Sequence, residues 1–400
     1  MLLNNRWFQL SASLVAMIMI ANLQYGWTLF VEPVRTGTGW KLSDIQWAFS
    51  IFIFCQTWVQ PLDGWLIDRL GPRWFVAVAG LLCGAGWAGM GQATTVPMFW
   101  LLYAVAGAGA AFVYSASIGS ALKWFKDKRG LASGIMTAGF GGGTALFMPL
   151  IGSLIKTYGY REAFLYSGLM QGGVILLVSQ WLRHPPASPV HAAPAGRTSA
   201  RASGRDATTA EMLAVPKFYV MYLALVFIAT GGLLVTAQAG PIAKAWGYTP
   251  AILLTATSLS PIANGFSRIL WGWISDRMGR ELTMAVAFTL HAGCLFLVMT
   301  MGRHDPAWFV ISLVLTYFTW GEVFSLFPAL LSDYFGTRHA TSNYSVLYTA
   351  KGVSAALMAG GPAALLFERY GDWSAVFYAS IAMAVFAVGV ALWLYRVRPR

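Results

Sequence analysis

Charge is scarce in this 400-residue chain: only 10% of it is Asp, Glu, Lys or Arg, against roughly 25% in a soluble domain. That scarcity excludes a soluble enzyme or a nucleic-acid binder. Cysteine is scarcer still. The three residues, Cys55, Cys83 and Cys294, each lie inside a long apolar run. They read as small buried side chains, and no disulfide framework is implied. Among the few acids and histidines, no cluster has metal-ligand spacing and no nucleophile stands beside a base. His291 is isolated within an apolar run, and the other histidines fall in loops. No catalytic residue, cofactor or metal site is therefore expected. A Gly-x-x-x-x-Gly-Lys-[Ser/Thr] phosphate loop is also missing, so ATP-driven transport has no support.

What the chain has instead is apolar length. It is 57% hydrophobic and 15% aromatic, with a mean hydropathy of +0.60. A bilayer-spanning helix needs about 20 apolar residues. Twelve such runs are predicted, at roughly 7–30, 45–67, 74–91, 97–121, 133–155, 163–182, 217–243, 250–275, 282–301, 307–330, 343–366 and 373–395. A transmembrane β-barrel would show period-two alternation over strands of about 10 residues, which these unbroken runs lack. The first run is too long for a signal peptide and continues into Gln24-Tyr25-Gly26-Trp27. The expected class is an all-α, multi-pass membrane protein.

The net charge of +12 is read as topology. With the N-terminus inside, the inner segments hold about 18 Lys/Arg and the outer loops about 7. Both termini are accordingly expected on the cytoplasmic side. Between the sixth and seventh runs, 183–216 changes character to Ala, Pro, Ser and Arg, a composition that cannot bury enough surface to fold alone. It reads as a linker between an N-terminal six-helix bundle, 1–182, and a C-terminal one, 217–400. A minor alternative has Arg197, Arg201 and Arg205 binding phosphate or lipid headgroups.

The halves repeat. Pro33 matches Pro241, Gly39 matches Gly247, and the run Gly64-Trp65-Leu66-Ile67-Asp68-Arg69-Leu70-Gly71 matches Gly272-Trp273-Ile274-Ser275-Asp276-Arg277-Met278-Gly279, all at an offset of 208. Pro149 and Pro362 correspond at a slightly larger offset. The Gly-x-x-x-Asp-Arg-x-Gly motif, at the inner ends of spans 2 and 8, resembles the loop signature of the major facilitator superfamily, whose halves are related by an axis along the membrane normal. The resemblance implies alternating access, with Asp68, Arg69, Asp276 and Arg277 gating the cytoplasmic side. The bland reading of these arginines is positive-inside anchoring.

A narrower resemblance rests on Gln24-Tyr25-x-Trp27-Thr28-Leu29, on Lys123-Trp124-Phe125-x-Asp127-Lys128-Arg129-Gly130-Leu131-Ala132-Ser133-Gly134, on Phe318-Thr319-Trp320-Gly321 and on Ala350-Lys351. These look like the bacterial oxalate:formate antiporter family, whose wider group includes proton-coupled monocarboxylate transporters. The resemblance implies small carboxylate anions such as oxalate, formate or other monocarboxylates as substrates, a bacterial inner-membrane location and a monomer. It also implies two substrate-binding cations on spans 8 and 11, which fall on Arg268 and Lys351.

The residues reach the same pair independently. A charge at mid-membrane costs several kcal/mol and is functional by default, and few candidates exist: Arg268, Glu322 and Lys351, with Asp63 nearer a helix end. At 1.5 Å per residue, Arg268 lies about 12 Å above Asp276, and Lys351 about 12 Å above Asn343, so both sit near the midplane. Ser260, Asn264 and Arg268 share one helix face, Tyr344, Tyr348 and Lys351 another, and Trp320 and Phe324 a third. Arg grips a carboxylate with parallel hydrogen bonds, whereas Lys acts as a point charge. The repeat offset carries Arg268 onto Gln60 and Asn264 onto Gln56. The charge asymmetry suggests that one half anchors an anion while the other, with Gln24, Tyr25, Gln60 and Tyr114, closes over it; Gln56 is a further substrate-binding candidate. The competing readings are a structural ion pair for either cation, with Glu322 as the partner of Lys351, and interhelical hydrogen-bond glue for the glutamines.

The chain also departs from the antiporter pattern, which has tyrosines at Phe140 and Phe324, tryptophan at Tyr348 and glycine at Glu322. These changes weaken the case for oxalate but not for a carboxylate. Two unpaired cations should resist crossing without substrate, which favours obligatory exchange. A protonatable Glu322 would instead couple transport to protons as symport. If Trp320 and Phe324 face the cavity, Glu322 points about 200° away from them. Drug export by proton antiport is the weaker alternative, because span 1 has no acid and the intramembrane excess is basic.

Overall fold

The computed structural model describes residues 2–125, 128–183, 185, 206–336 and 338–397; the side chains of 2, 64–70, 129 and 130 lie outside it. Most of the linker, with Arg197, Arg201 and Arg205, is therefore outside the described residues, as are the side chains of Asp68 and Arg69.

The described chain is helical throughout and has no strand. Its long helices are α1 (Arg6–Tyr25, continued by Trp27–Thr38), α2 (Leu42–Trp58, continued over 60–70), α3 (Gly71–Met90), α4 (Val96–Trp124), α5 (Leu131–Tyr158) and α6 (Tyr160–Ser179) in the first half. In the second half they are α7 (Pro216–Ala245), α8 (Pro250–Met278), α9 (Arg280–Thr300), α10 (Pro306–Phe335), α11 (Ala340–Tyr370) and α12 (Ser374–Arg396). Ten of these are long and apolar enough to cross a membrane. The two exceptions are α2 and α8. The latter is long enough at 29 residues, but Ser260, Asn264, Ser267 and Arg268 lower its apolarity.

Helix starts follow local chemistry. Asn5 Oδ1 accepts from Trp7 N at 2.9 Å, and Asp305 Oδ1 accepts from Ala307 N at 2.8 Å and Trp308 N at 2.9 Å, satisfying amides that no helical turn can. Pro97, Pro216, Pro250 and Pro306 occupy first turns, where a missing N–H costs nothing. The repeat is written in the backbone as well. Gly71 (φ 72°) and Gly279 (φ 91°) end α2 and α8 in the left-handed region that only glycine enters freely. Both are the last glycine of the repeated motif.

Five helices break near mid-length, α1 at Gly26 and α2 at Val59 among them. α5 tightens into a 3-10 turn over Gly143–Leu146, and α11 widens into a π turn over Ala355–Ala359, each just before the matched Pro149 or Pro362. α10 breaks at Gly321-Glu322. Such irregular backbone is tolerated at membrane depth only where protein covers it or a cavity adjoins it.

The halves meet along three seams toward the end that carries the α1–α2 and α7–α8 loops. Gly240 N donates to Thr28 Oγ1 at 2.6 Å, Gln46 Nε2 to the Ala237 carbonyl at 2.8 Å, and Ser43 N to Glu368 Oε1 at 2.9 Å. Lys244 pairs with Glu32 at 2.5 Å. Toward the opposite end, Trp58 and Leu62 of the first half face Phe218, Tyr219 and Tyr222 of the second across an open apolar cleft of about 420 Å³.

Candidate functional site

The breaks of α5, α10 and α11 surround one buried cluster, in which Arg268 is 2% exposed and Lys351 1%. Lys351 lies on α11, one turn before its π segment. Its Nζ donates to Gln24 Oε1 at 2.8 Å, to Gln56 Oε1 at 2.9 Å and to Tyr348 OH at 3.2 Å. Its partners are therefore α1, α2 and its own helix, and not Glu322.

Arg268 is held from α8 as a fork. Nη1 donates to the Thr137 carbonyl of α5 at 2.8 Å, and Nη2 to Asn264 Oδ1 at 2.9 Å and, more weakly, to Tyr25 OH at 3.5 Å. Asn264 is fixed in turn by its own donation to the Tyr317 carbonyl at 3.1 Å. Gly141 makes the fork possible. A Cβ there would lie 2.7 Å from Asn264 Oδ1 and 2.8 Å from Arg268 Nε, so any side chain at this position would displace one of them. Among the described residues neither cation forms an ion pair.

Aromatic rings cover the pair. The Phe324 centroid is 4.3 Å from Arg268 Cζ and 5.7 Å from Lys351 Nζ, so the charges are separated by no more than about 10 Å. Phe140 lies 6.0 and 5.7 Å from the same atoms. Tyr114 stacks on Tyr348 with centroids 5.7 Å apart and meets Phe140 edge-on. Tyr25 packs edge-on against Phe140, and Trp320 against Phe324. Water is thereby excluded, and each remaining polar group gains electrostatic weight.

The cluster thus gathers Gln24, Tyr25, Gln56, Tyr114, Phe140, Asn264, Arg268, Phe324, Tyr348 and Lys351 around two charges. Trp320 belongs to its second layer, through Phe324 and Tyr317. Gln60 is buried, but its Nε2 has no partner among the described residues and it bonds neither cation. Glu322 is fully buried at the α10 break, with neither carboxyl oxygen hydrogen-bonded among the described residues. Of the gating candidates, Asp276 pairs with Arg280 at 2.6 Å, and Arg277 lies 3.5 Å over the Trp273 ring. Arg280 also reaches Asp333 at 3.6 Å, tying α8, α9 and α10 together.

Two contributors escaped the sequence. Thr137 acts through its backbone carbonyl, which any residue supplies, so no side-chain signal existed. Tyr317 supports Asn264 through its own carbonyl and packs 6.1 Å from Tyr25; in an aromatic-rich helix nothing distinguishes it.

Chemically, the cluster offers donors. Beyond the two cations, the amide nitrogens of Gln24 and Gln56 and the Arg268 Nε lack partners among the described residues. A small anion satisfies such a set, whereas an organic cation would find no buried carboxylate bonded into it.

Comparison with known proteins agrees with this chemistry. The Major Facilitator Superfamily model matches residues 12–359 and, again, 223–400. The chain is 36% identical to the oxalate:formate antiporter of Oxalobacter formigenes over 98% of its own length and 91% of that protein's. It is 23% identical to monocarboxylate transporter 13 of Rattus norvegicus over 96% of its length and 87% of that protein's. It is 24% identical to apicoplast pyruvate carrier 1 of Toxoplasma gondii over 74% of its length and 65% of that protein's.

Proposed function

This chain belongs to the Major Facilitator Superfamily, and on that premise we propose that it is a secondary transporter of small carboxylates, exchanging oxalate- and formate-like anions by alternating access. The observation that carries the reading is the buried cation pair, Arg268 and Lys351, set no more than about 10 Å apart under a shared aromatic ring. One carboxylate takes the Arg268 fork and a second, or a lone monocarboxylate, takes Lys351. The Gln24 and Gln56 amides turn to donate to the bound oxygens, and Tyr25, Tyr114, Phe140 and Tyr348 close the walls. The substrate's charge offsets both cations, so the loaded site is occluded between the halves at lower cost than the cations alone.

The two bundles, 1–182 and 217–400, rock about this site. Asp276 and Arg277 act at the cytoplasmic end, with Asp68 and Arg69 as their repeat counterparts. The proposed setting is a bacterial inner membrane, with a monomer as the working unit and both termini cytoplasmic. Basic residues biased toward the inner segments support that orientation.

One observation favours a second reading, proton-linked monocarboxylate symport. Glu322 is a fully buried carboxyl without a hydrogen-bond partner among the described residues, and leaving it charged there is costly. Carrying a proton is the simplest role for such a group. Proton-driven drug export finds no comparable support.

Uptake of labelled oxalate, formate and lactate into proteoliposomes, with and without internal unlabelled substrate and with and without a pH gradient, separates these readings. Exchange predicts that internal substrate accelerates uptake and that a pH gradient does not. Uptake driven by an inward proton gradient alone would replace exchange with symport.

A further inference from the structure

Where α11 widens over Ala355–Ala359, its own ladder of hydrogen bonds is weakest. The Gly360 amide reaches the Ala355 carbonyl only at 3.4 Å. The Gly361 amide opens the next stretch of helix, where the preceding backbone supplies no acceptor. One hydroxyl serves both groups. Ser50 Oγ donates to the Ala355 carbonyl at 2.8 Å and accepts from Gly361 N at 3.2 Å. Ser50 lies on α2, in the opposite half of the protein, and is 1% exposed.

The two halves approach backbone to backbone here. A Cβ on Gly360 would run into Ser50 Oγ and lie 2.7 Å from the Gln46 carbonyl, and one on Gly361 would enter the Trp47 ring. Glycine at both positions lets a hydroxyl as short as that of serine reach the break. From its own half, α11 is held on either side of the same turn by α7. Thr230 Oγ1 hydrogen-bonds Ser354 Oγ at 2.9 Å, and Gln238 Nε2 donates to the Ala359 carbonyl at 3.2 Å and to the Gly360 carbonyl at 2.9 Å. Lys351 lies one turn before the widened segment. A π turn holds one residue more than an α turn, so gaining or losing it rotates the two parts of α11 against each other by about 100°.

We propose that Ser50 is a positioning residue of the transport cycle, coupling the seal at the end that carries the α1–α2 and α7–α8 loops to the π turn of α11, and through that turn to the facing of Lys351. The inference rests on the carboxylate-transport reading above. With that end sealed, the hydroxyl bridges the break and Lys351 points at the site. As the end opens, α2 withdraws the hydroxyl, and the Ala355 carbonyl and the Gly361 amide lose it together. α11 then bends at its π turn, where a helix most readily kinks.

The test compares the full-length parent with Ser50→Ala, Ser50→Thr and Ser50→Val. Threonine and valine have the same shape and differ in the hydroxyl, so their difference is free of any effect of the added methyl group. Spin labels at Lys41→Cys and Thr249→Cys, both exposed at this end, report the ratio of sealed to open molecules in a Cys55→Ala, Cys83→Ala, Cys294→Ala background. That ratio should fall about tenfold in Ser50→Ala relative to the parent and in Ser50→Val relative to Ser50→Thr, because two buried backbone groups lose their partner. Exchange of labelled oxalate and formate in proteoliposomes is the second readout. Substrate enters from this end with the hydroxyl already withdrawn in every protein. The half-saturating concentration should therefore move by less than about threefold while the maximal rate falls about tenfold. Thermal melts establish that each variant is folded.

A ratio unchanged in folded Ser50→Ala and equal in Ser50→Thr and Ser50→Val would overturn the inference. So would a lowered ratio with an unchanged maximal rate, because closure would then not pass through α11. The distances need no substrate. A shifted ratio in a folded protein whose parent exchanges neither oxalate, formate nor lactate would therefore overturn the carboxylate reading alone.

Discussion

Replacing Arg268 by lysine keeps the charge and discards the fork, which makes Arg268→Lys a sharp probe of how the site works. The guanidinium is fixed by three features at once: the Thr137 carbonyl at 2.8 Å, Asn264 Oδ1 at 2.9 Å and the Phe324 ring at 4.3 Å. A lysine at the same Cα carries a compact ammonium that cannot meet a carboxylate with two parallel hydrogen bonds. The loss is one charge-assisted hydrogen bond to substrate, about 1.5–3 kcal/mol, together with part of the cation–π term of about 0.5–2 kcal/mol. Oxalate affinity should therefore fall roughly 10- to 100-fold or somewhat more, at 1.4 kcal/mol per factor of ten. Arg268→Gln, which removes the charge as well, should be weaker still. The assay is equilibrium binding of labelled oxalate to detergent-purified protein, with thermal melts to establish folding. Binding by Arg268→Lys within threefold of the parent protein would refute the claim that the fork grips the substrate. Equal losses in the Lys and Gln variants would refute the claim that charge contributes.

Other substitutions test neighbouring parts of the account. Gly141→Ala places a methyl group 2.7 Å from Asn264 Oδ1 and 2.8 Å from Arg268 Nε; helix propensity alone favours alanine by about 1 kcal/mol, so the expected phenotype is a folded protein whose transport falls roughly 10- to 100-fold through a displaced guanidinium. Glu322→Gln preserves shape at the α10 break, and under the exchange reading the pH profile of transport stays unchanged; a profile flattened by this substitution would favour proton coupling. Lys244→Ala removes an ion pair with Glu32 whose lysine side chain is 57% exposed, worth at most about 1 kcal/mol, so spin-label distances across that end should show only a modest shift toward opening.

Much of the architecture was written in local chemistry. The long apolar runs announce the helices, and the paired glycines of the repeated motif, Gly71 and Gly279, mark turns that no other residue enters freely. Arg268 and Lys351 stood out because charge is so rare at their depth. The partners of those charges were less legible. Gln24 lies 327 residues from Lys351 and Gln56 lies 295, and nothing local distinguishes an amide that meets a lysine across the interface from one that glues two helices. Gln56 and Gln60, read together through the repeat, part company in the fold: one bonds Lys351 and the other does not. The Thr137 carbonyl is invisible in principle, since every residue carries one. Nor did the sequence place the breaks at Gly143–Leu146, Gly321-Glu322 and Ala355–Ala359. The glycines there permit a break, but tertiary packing decides whether it is made.

The central claim is that Arg268 and Lys351 together form the carboxylate site. It is tested most directly by equilibrium binding of labelled oxalate and formate to the parent protein, to Lys351→Gln, to Arg268→Gln and to the double variant. The account predicts saturable, mutually competitive binding in the parent. For oxalate, each single variant should weaken binding at least tenfold, and the double variant should lose little more than the worse single one, because one dicarboxylate bridges both charges; formate should lose most in Lys351→Gln. Undiminished oxalate binding in either folded single variant would contradict it.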